Sequence, residues 1–374
     1  MSCQLVSAEN ESILWSTSVQ VEPDQIGNSI DTACIELVNW LDGPRASTDT
    51  RGDIDSTAYT YWLRALALLD RGDPISFNVA RAYLDDAVQR APRSAVIHAY
   101  LALWYAQSAL ARRLPLSEAF ASANQEADVA LQLNSASAEA HLARAVVAFF
   151  SYARDEAEVH FRRTLDVSPN HVETHHRYAR FLACHSRFES AIAHARRAQI
   201  LDPLSRSVHL NAGIVLYAAR DFHASLIESE KALALNPASP SGLMQIGVCE
   251  LVLGRYSDAI QRLRQAVRFS QGHIAPAAYL SCAYALAGRE EFSRRIYQRV
   301  RTMCISADRE GWSNWTYLAV VCACRGTSEE AVDALKRAVA RRDPELLGIA
   351  VDPLFDSIRA SVGFREAISA VYVH

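Results

Sequence analysis

Turn residues recur every 34 residues along the middle of this chain, and this spacing constrains the fold more than any other feature. The turns are centred on Ser135, Pro169, Pro203, Pro237 and Gln271. Three other positions in the same frame are mostly small: Ala145, Ala179, Gly213, Gly247, Ser281; Ala157, Ala191, Ser225, Ala259, Ser293; and Thr164, Ala198, Ala232, Ala266, Val300. Small residues at fixed helical positions let two helices approach closely. A 34-residue period therefore predicts stacked helix–turn–helix units.

The frame predicts an all-α, right-handed superhelical solenoid of about eight such units, here called repeats 1 to 8. Repeats 3 to 8 are predicted to start near Ala138, Val172, Arg206, Pro240, Ile274 and Trp312. Repeat 1 pairs Ala58–Leu69 with Ser76–Arg90 around a longer turn. Repeat 2 pairs Ala95–Ala109 with Leu116–Leu133, and a nine-residue insertion is placed in its turn. An extra stretch near Cys304–Gly311 precedes repeat 8.

Local signals support these helix boundaries. Ser239 before Pro240 is typical of an N-cap followed by proline at the first helical position. Asn170 with Glu173 resembles a capping box. Gly254 and Gly288 fall where the first helix of a repeat (helix A) should end.

The predicted domain organisation has four parts. Residues 1–42 contain two short strands, Gln4–Val6 and Ile13–Val21, and an amphipathic helix, Ile26–Leu41. Residues 43–55 are a polar linker rich in turn-forming residues. Residues 56–345 form the repeat array. Residues 346–374 form a capping segment over the open end of the last repeat, because terminal repeats need a cover.

Composition excludes several classes of protein. The net charge of −4 over 374 residues carries no broad electrostatic footprint for nucleic acid, so direct nucleic-acid binding is not expected. None of the eight cysteines forms a C-x-x-C pair, which favours a reducing compartment. No signal peptide or apolar run of about 20 residues is evident, so a cytoplasmic location without membrane association is expected.

The periodic positions resemble the tetratricopeptide repeat, a 34-residue helix–turn–helix family. In repeat 4 the pattern is carried by Tyr178-Ala179, Leu182, Phe188, Ala191, Ala198 and Pro203, and in repeat 6 by Ile246-Gly247, Gly254-Arg255-Tyr256, Ala259 and Ala266. Most repeats lack the family's tryptophan at the fourth position, and Gln271 replaces the usual proline. The resemblance covers Ala58 to about Asp343.

Both ends of the chain resemble the C-terminal part of certain bacterial winged-helix transcriptional activators. The matching residues are Leu5-Val6, Leu14-Trp15-Ser16 and the ending Val351–Arg359 with Phe364. The activators usually have Pro-Arg before that phenylalanine, whereas Val362-Gly363 precedes it here. The resemblance implies that residues 1–42 are the remnant of a small α/β domain. The winged helix itself has no counterpart here, so DNA binding is not carried over to any residue.

Histidines are the most tempting chemical signal. His171 and His175 are four residues apart, a spacing that can bind zinc on a helix. However, His98, His141, His175 and His209 occupy the same position of successive repeats, which favours a packing role. No nucleophile, phosphate-binding or zinc-protease motif is present. The expectation is therefore a non-enzymatic protein without catalytic residues, cofactor or metal.

The resemblance implies that helix A lines a concave groove that binds a protein or peptide partner. Transferred onto this sequence, the groove positions are Glu173, His176, Arg177, Arg180, Leu210, Asn211, Ile214, Tyr217, Met244, Gln245 and Val248. Polar donors beside apolar surface suit an extended peptide or a partner helix. Arg177, Arg180 and Asn211 are candidates for an anion contact.

The leading functional hypothesis is a protein-interaction scaffold. The alternative is the regulatory or effector half of a transcriptional activator, and the minority alternative is a metal-dependent hydrolase that uses His171 and His175. The identity of the partner and the oligomeric state are not predicted.

Overall fold

The structure is a computed structural model that describes residues 2–6, 13–18, 56–71, 74–110 and 113–372. The chain divides into two compact units, Met1–Ile97 and His98–His374, which are described separately. No helix within the described residues is both long and apolar enough to cross a lipid bilayer.

The N-terminal unit contains two short strands and repeat 1. Strands Ser2–Val6 and Ile13–Ser18 pair antiparallel. The helices of repeat 1 are Ser56–Arg71 and Pro74–Arg90. Only two residues separate them, so the longer turn predicted for this repeat is wrong. The predicted helix Ile26–Leu41 and the linker over residues 43–55 lie outside the described residues, and the origin of residues 1–42 in an α/β domain stays a prediction.

From repeat 2 onward, helices continue in antiparallel pairs, each a helix A followed by a helix B. The pairs are Ala95–Leu110 with Leu116–Leu133, Ala138–Phe150 with Arg154–Val167, Val172–Cys184 with Phe188–Leu201, Arg206–Ala218 with Phe222–Leu235, Pro240–Val252 with Tyr256–Phe269, Ile274–Leu286 with Glu290–Arg309, and Trp315–Cys324 with Ser328–Ala340. Two short 3₁₀ helices, Pro344–Gly348 and Pro353–Phe355, and a last helix, Val362–Tyr372, follow. Helix A of repeats 3 to 7 starts every 34 residues, which confirms the predicted helical repeat.

Helix A begins with a capping side chain at the same position in repeats 3 to 7. The capping side chains accept backbone N–H groups in the first turn and belong to Ser137, His171, Ser205, Ser239 and His273. The predicted cap of repeat 4 was Asn170. The structure corrects this to His171, whose Nδ1 accepts the Thr174 N–H at 3.2 Å.

Helix A ends with a residue of positive φ at the same point of successive repeats. These residues are Tyr152, Ser186, Arg220, Gly254 and Gly288. In each case the next residue donates its N–H to a carbonyl five residues back, as in a Schellman turn. Sequence reasoning identified only the two glycines, because nothing about Tyr152, Ser186 or Arg220 indicates a left-handed conformation.

The small residues lie where helix A meets helix B, as predicted. Ala145, Ala179, Ala157 and Ala191 are completely buried. A Cβ atom at Gly247 would lie 2.7 Å from Leu263 Cγ, so this helix pair is too close for a larger residue. Close packing of this kind is what a fixed small position encodes.

The nine extra residues of repeat 2 are not confined to its turn, as the sequence analysis assumed. Helix A has 16 residues rather than the 13 of repeat 3, and helix B has 18 rather than 14. The remaining two extra residues lie between the two helices in the sequence. Likewise, the extra stretch before repeat 8 is a continuation of Glu290–Arg309, which has 20 residues.

Candidate functional site

The concave surface of the C-terminal unit is lined by helix A of repeats 3 to 8, and part of it is covered by the chain itself. We call residues 343–359 the closing segment. A partly open cavity lies beneath it, and every other residue that lines this cavity belongs to a helix A or to the end of one. The closing segment therefore extends back from repeat 8 across the inner side of repeats 3 to 6.

The structure divides the eleven predicted groove residues into two groups. Those beneath the closing segment form the covered half: Arg180, Ile214, Tyr217, Met244, Gln245 and Val248. The others lie outside this cavity and form the open half: Glu173, His176, Arg177, Leu210 and Asn211. The resemblance to tetratricopeptide arrays treated all eleven as one surface.

Asp343 anchors the beginning of the closing segment. The residue is fully buried, and its Oδ2 accepts hydrogen bonds from Ser313 Oγ at 2.8 Å and from the Thr316 N–H at 3.2 Å. Its carbonyl oxygen accepts the Tyr152 hydroxyl at 2.7 Å. Burial raises the pKa of the Asp343 carboxyl, although these donors oppose the shift. Asp343 therefore ties repeat 8 to the end of helix A in repeat 3.

Two further carboxylates attach the closing segment to repeat 5. The Tyr217 hydroxyl donates to Asp352 Oδ1 at 2.9 Å. Arg220 donates from both terminal nitrogens to the two oxygens of Asp356, each at 2.8 Å. Hydrogen bonding to Arg220 lowers the pKa of Asp356, whereas burial raises the pKa of Asp352. The fork-shaped Arg220–Asp356 pair adds directional specificity to the contact.

Apolar burial stabilises the closing segment more than these polar contacts do. Its side chains join the main hydrophobic core of the C-terminal unit, and five of them are at most 5% exposed: Leu346, Leu347, Ile349, Phe355 and Ile358. Full burial of such a side chain contributes about 1.5–3 kcal/mol. The apolar pattern of residues 346–358 could have shown that this segment is buried, but not that the groove buries it.

The open half is polar and internally paired. Arg177 Nε donates to Glu173 Oε1 at 2.5 Å. Burial alone would raise the pKa of Glu173, but Arg177 and His176 lower it to about 2. Asn211 Nδ2 donates to the His176 carbonyl at 2.7 Å. Two of the three predicted anion contacts, Arg177 and Asn211, are therefore already engaged within the chain.

The periodic histidines bridge the helices of their own repeats. His141, His175 and His209 each place Nε2 next to the carbonyl of the preceding turn residue, at 3.2, 2.9 and 2.9 Å from the oxygens of Ser135, Pro169 and Pro203. Their Nδ1 atoms lie 3.0, 2.7 and 2.8 Å from His160 Nδ1, His194 Nδ1 and Glu228 Oε2. A neutral imidazole that donates from Nε2 accepts at Nδ1, so His160 and His194 must donate.

These contacts contradict the zinc site suggested for His171 and His175. Both ring nitrogens of His175 are engaged, and His171 Nδ1 is the helix cap. Across the ranges that the structure describes, no three His, Cys, Asp or Glu side chains are grouped so as to hold a metal ion. A histidine that recurs with the repeat is explained here by packing between helices.

No protein-family model matches this sequence, and it matches no curated protein. Similar solved structures include PilW, a widely conserved type IV pilus biogenesis factor, with 18% identity over 54% of this chain and 92% of that chain (TM-score 0.46). A tetratricopeptide repeat protein from Parabacteroides merdae has 11% identity over 67% of this chain and 98% of that chain (TM-score 0.47). YrrB, described as a TPR protein with an unusual peptide-binding site, has 18% identity over 51% of this chain and 96% of that chain (TM-score 0.33). These TM-scores are below 0.5, so the fold assignment rests on the helical repeat itself.

Proposed function

We propose that this chain is a non-enzymatic binding scaffold whose concave surface holds a segment of a partner protein. One observation carries the proposal: the same surface already holds an irregular peptide segment of its own chain. Tyr217 and Arg220 bind Asp352 and Asp356, while apolar side chains of the segment are buried in the core of the C-terminal unit. A groove that accommodates one segment through pockets and hydrogen bonds has the chemistry that peptide recognition requires.

We propose that the partner binds to the open half and to Arg180 beside it. His176 Nδ1 is buried and has no hydrogen-bond partner among the described residues. Arg180, at the border between the two halves, is exposed and forms no ion pair within the same ranges. Next to Met244 of the covered half lies a further cleft of about 330 Å³ that is lined by Pro240, Ser241 and Pro276. Apolar surface beside such donors suits a short extended peptide with an acidic residue.

The regulatory half of a transcriptional activator is kept as the second candidate. The residues that carry that resemblance at the C-terminus are the ones that hold the closing segment, namely Asp352, Phe355, Asp356 and Arg359. This supports a shared way of closing the array. Regulation of transcription, the cytoplasmic location and the absence of direct nucleic-acid binding stay predictions.

A display library of random 12-residue peptides tests the scaffold proposal. Peptides should be enriched on the unmodified protein and should lose about 10-fold or more in affinity when Arg177→Glu reverses a charge of the open half. Arg196→Glu is the matched control, because Arg196 is an exposed arginine of helix B. A library that yields no enrichment, or peptides that bind all three proteins equally, would contradict the proposal.

A further inference from the structure

The cavity beneath the closing segment has the size of a single aromatic ring. Its volume is about 180 Å³. An engineered protein cavity of about 150 Å³ with apolar walls binds benzene, so this volume accommodates a ring with a short substituent. One side of the cavity is helix A of repeats 3 to 8 and the other is the closing segment, so a molecule inside would contact both.

The walls suit an aromatic guest. Phe149, Tyr217, Tyr279 and Tyr317 line the cavity together with the sulfur-containing side chain of Met244. Tyr279 and Tyr317 pack against each other edge to face, with ring centroids 6.4 Å apart. Aromatic rings and thioethers favour edge and offset contacts with another ring. Leu347 and Ile349 complete the apolar lining from the closing segment.

Two buried polar groups in the lining retain hydrogen-bonding capacity. Thr316 is only 6% exposed, and its Oγ1 is buried without a hydrogen-bond partner among the residues that the structure describes. Gln245 is 8% exposed, and its Nε2 donates to Cys249 Sγ at 3.7 Å, which is a weak acceptor. Buried polar atoms are normally paired, so a hydroxyl left over in a cavity wall favours a guest with a polar group.

The lining of the cavity contains three charged residues, Arg180, Glu345 and Asp352, of which Arg180 is the one cation and Asp352 is already bound by the Tyr217 hydroxyl. Arg180 also lines a neighbouring cavity of about 190 Å³, which is bordered by Arg341 and Arg342 as well. Arg341 pairs with Asp308 at 2.7 Å, whereas Arg180 forms no ion pair in the described part of the chain. Glu345 is the one carboxylate in the lining of this neighbouring cavity. Arginine without a carboxylate partner recognises planar anions.

We infer that this cavity binds a small aromatic carboxylate, with the ring beneath the closing segment and the carboxylate at Arg180. Thr316 contributes a hydrogen bond to the polar edge of the guest. This site shares Arg180 with the peptide surface proposed above, but its other lining residues belong to the covered half and the closing segment. Its existence does not depend on a protein partner.

Phenylacetate and its uncharged analogue phenylacetamide test the inference, with binding measured by saturation-transfer NMR and by calorimetric titration. Phenylacetate should bind the unmodified protein and the control variant Arg196→Gln equally. Arg180→Gln should weaken phenylacetate binding about 10-fold and leave phenylacetamide binding unchanged, because only the ionised group contacts Arg180. Thr316→Val should weaken both probes by about 2- to 10-fold through the loss of one hydrogen bond.

Three results would overturn the inference. The first is the absence of phenylacetate binding to the unmodified protein at millimolar concentration. The second is an equal effect of Arg180→Gln on the affinity for both probes, which would show that Arg180 does not recognise the carboxylate. The third is that the Thr316→Val variant binds both probes as tightly as the unmodified protein does, which would show that the guest binds elsewhere. Circular dichroism and thermal melting of each variant separate loss of binding from loss of folding.

Discussion

Both halves of the concave surface are formed by helix A of successive repeats, but only the covered half is covered by the chain itself. In the covered half, Ile214, Met244 and Val248 are apolar and need a partner surface, which the closing segment supplies. In the open half, Glu173 and Arg177 neutralise each other. Local pairing of charges leaves a surface that is stable in water, whereas apolar groove residues are stable only when something covers them. The following predictions test this difference.

The largest effect is expected from removing the buried anchor of the closing segment. Phe355 is 1% exposed and contacts Phe364, with ring centroids 5.7 Å apart. Phe355→Ala should destabilise the C-terminal unit by about 3–5 kcal/mol, because the lost burial is accompanied by a cavity. Urea denaturation followed by circular dichroism measures this, with Arg177→Ala as the open-half control. Equal losses in the two variants would contradict the distinction between the halves.

Both halves depend on close contact between helix A and helix B. Ala179 is completely buried at this contact. Ala179→Leu should cost about 1–3 kcal/mol through overpacking, whereas Arg196→Leu on an exposed position of helix B should change little. Thermal melts of the two variants are the test. If both were harmless, the assignment of helix faces in repeat 4 would be wrong.

Acidification should have opposite effects on the stability of the histidine pairs in repeats 3 and 4 and on that of the closing segment. Burial, followed by the neighbouring His141 and His175, lowers the pKa of His160 and His194 from 6.5 to about 4. The stability contributed by these histidine pairs is therefore present above pH 6.5 and lost as the pH falls towards 4. After allowance for solvent screening, the loss at pH 5 is on the order of 1 kcal/mol for each pair.

The two buried carboxyl groups of the closing segment, Asp343 and Asp352, have the opposite pH dependence, unlike the half-exposed Asp356. Burial raises the pKa of Asp343 and Asp352 above 3.8, so their stabilising contribution is complete below that pH and is lost as the pH rises through the raised values. Hydrogen exchange at pH 7 and pH 5, corrected for the intrinsic rate, should show faster opening of repeats 3 and 4 at pH 5 but no faster opening of residues 343–359. Uniform acceleration would show that the two regions unfold together.

A single hydrogen bond across the covered half should matter less. Tyr217→Phe removes the donor to Asp352 and leaves that carboxylate with the Leu354 N–H. The expected loss is about 0.5–1.5 kcal/mol. Tyr284→Phe is a useful control, since Tyr284 is also buried but stacks on Phe292 instead of contacting the closing segment. Chemical denaturation should rank the Tyr217 variant below the control.

The smallest effect is expected at the exposed end of the closing segment. The side chains of Arg220 and Asp356 are 49% and 44% exposed. Arg220→Gln should therefore cost only about 0.2–1 kcal/mol, and the loss should vanish at high salt. Melting temperatures at low and high ionic strength measure this. A salt-independent loss would indicate that Arg220 acts through packing rather than charge.

Some parts of the candidate site were predictable from the sequence and others were not. The positions of Tyr217, Gln245 and Val248 on the inner face were predicted from the resemblance to tetratricopeptide arrays, and all three line the cavity beneath the closing segment. Asn211 and Arg177 were predicted as candidates for an anion contact, and in the structure they donate to the His176 carbonyl and to Glu173. A repeat frame specifies the face on which a side chain lies. It does not specify which neighbour reaches that side chain first.

The sequence by itself determined the helical repeat, the turns and the close helix contacts, because each depends on residues within one repeat or in adjacent repeats. Only the tertiary structure decided that residues 343–359 return to cover half of the groove. The contact between Tyr217 and Asp352 joins residues 135 positions apart, and no period in the sequence links them. The apolar side chains of the closing segment require burial somewhere. The surface that buries them depends on how the whole array of helices curves.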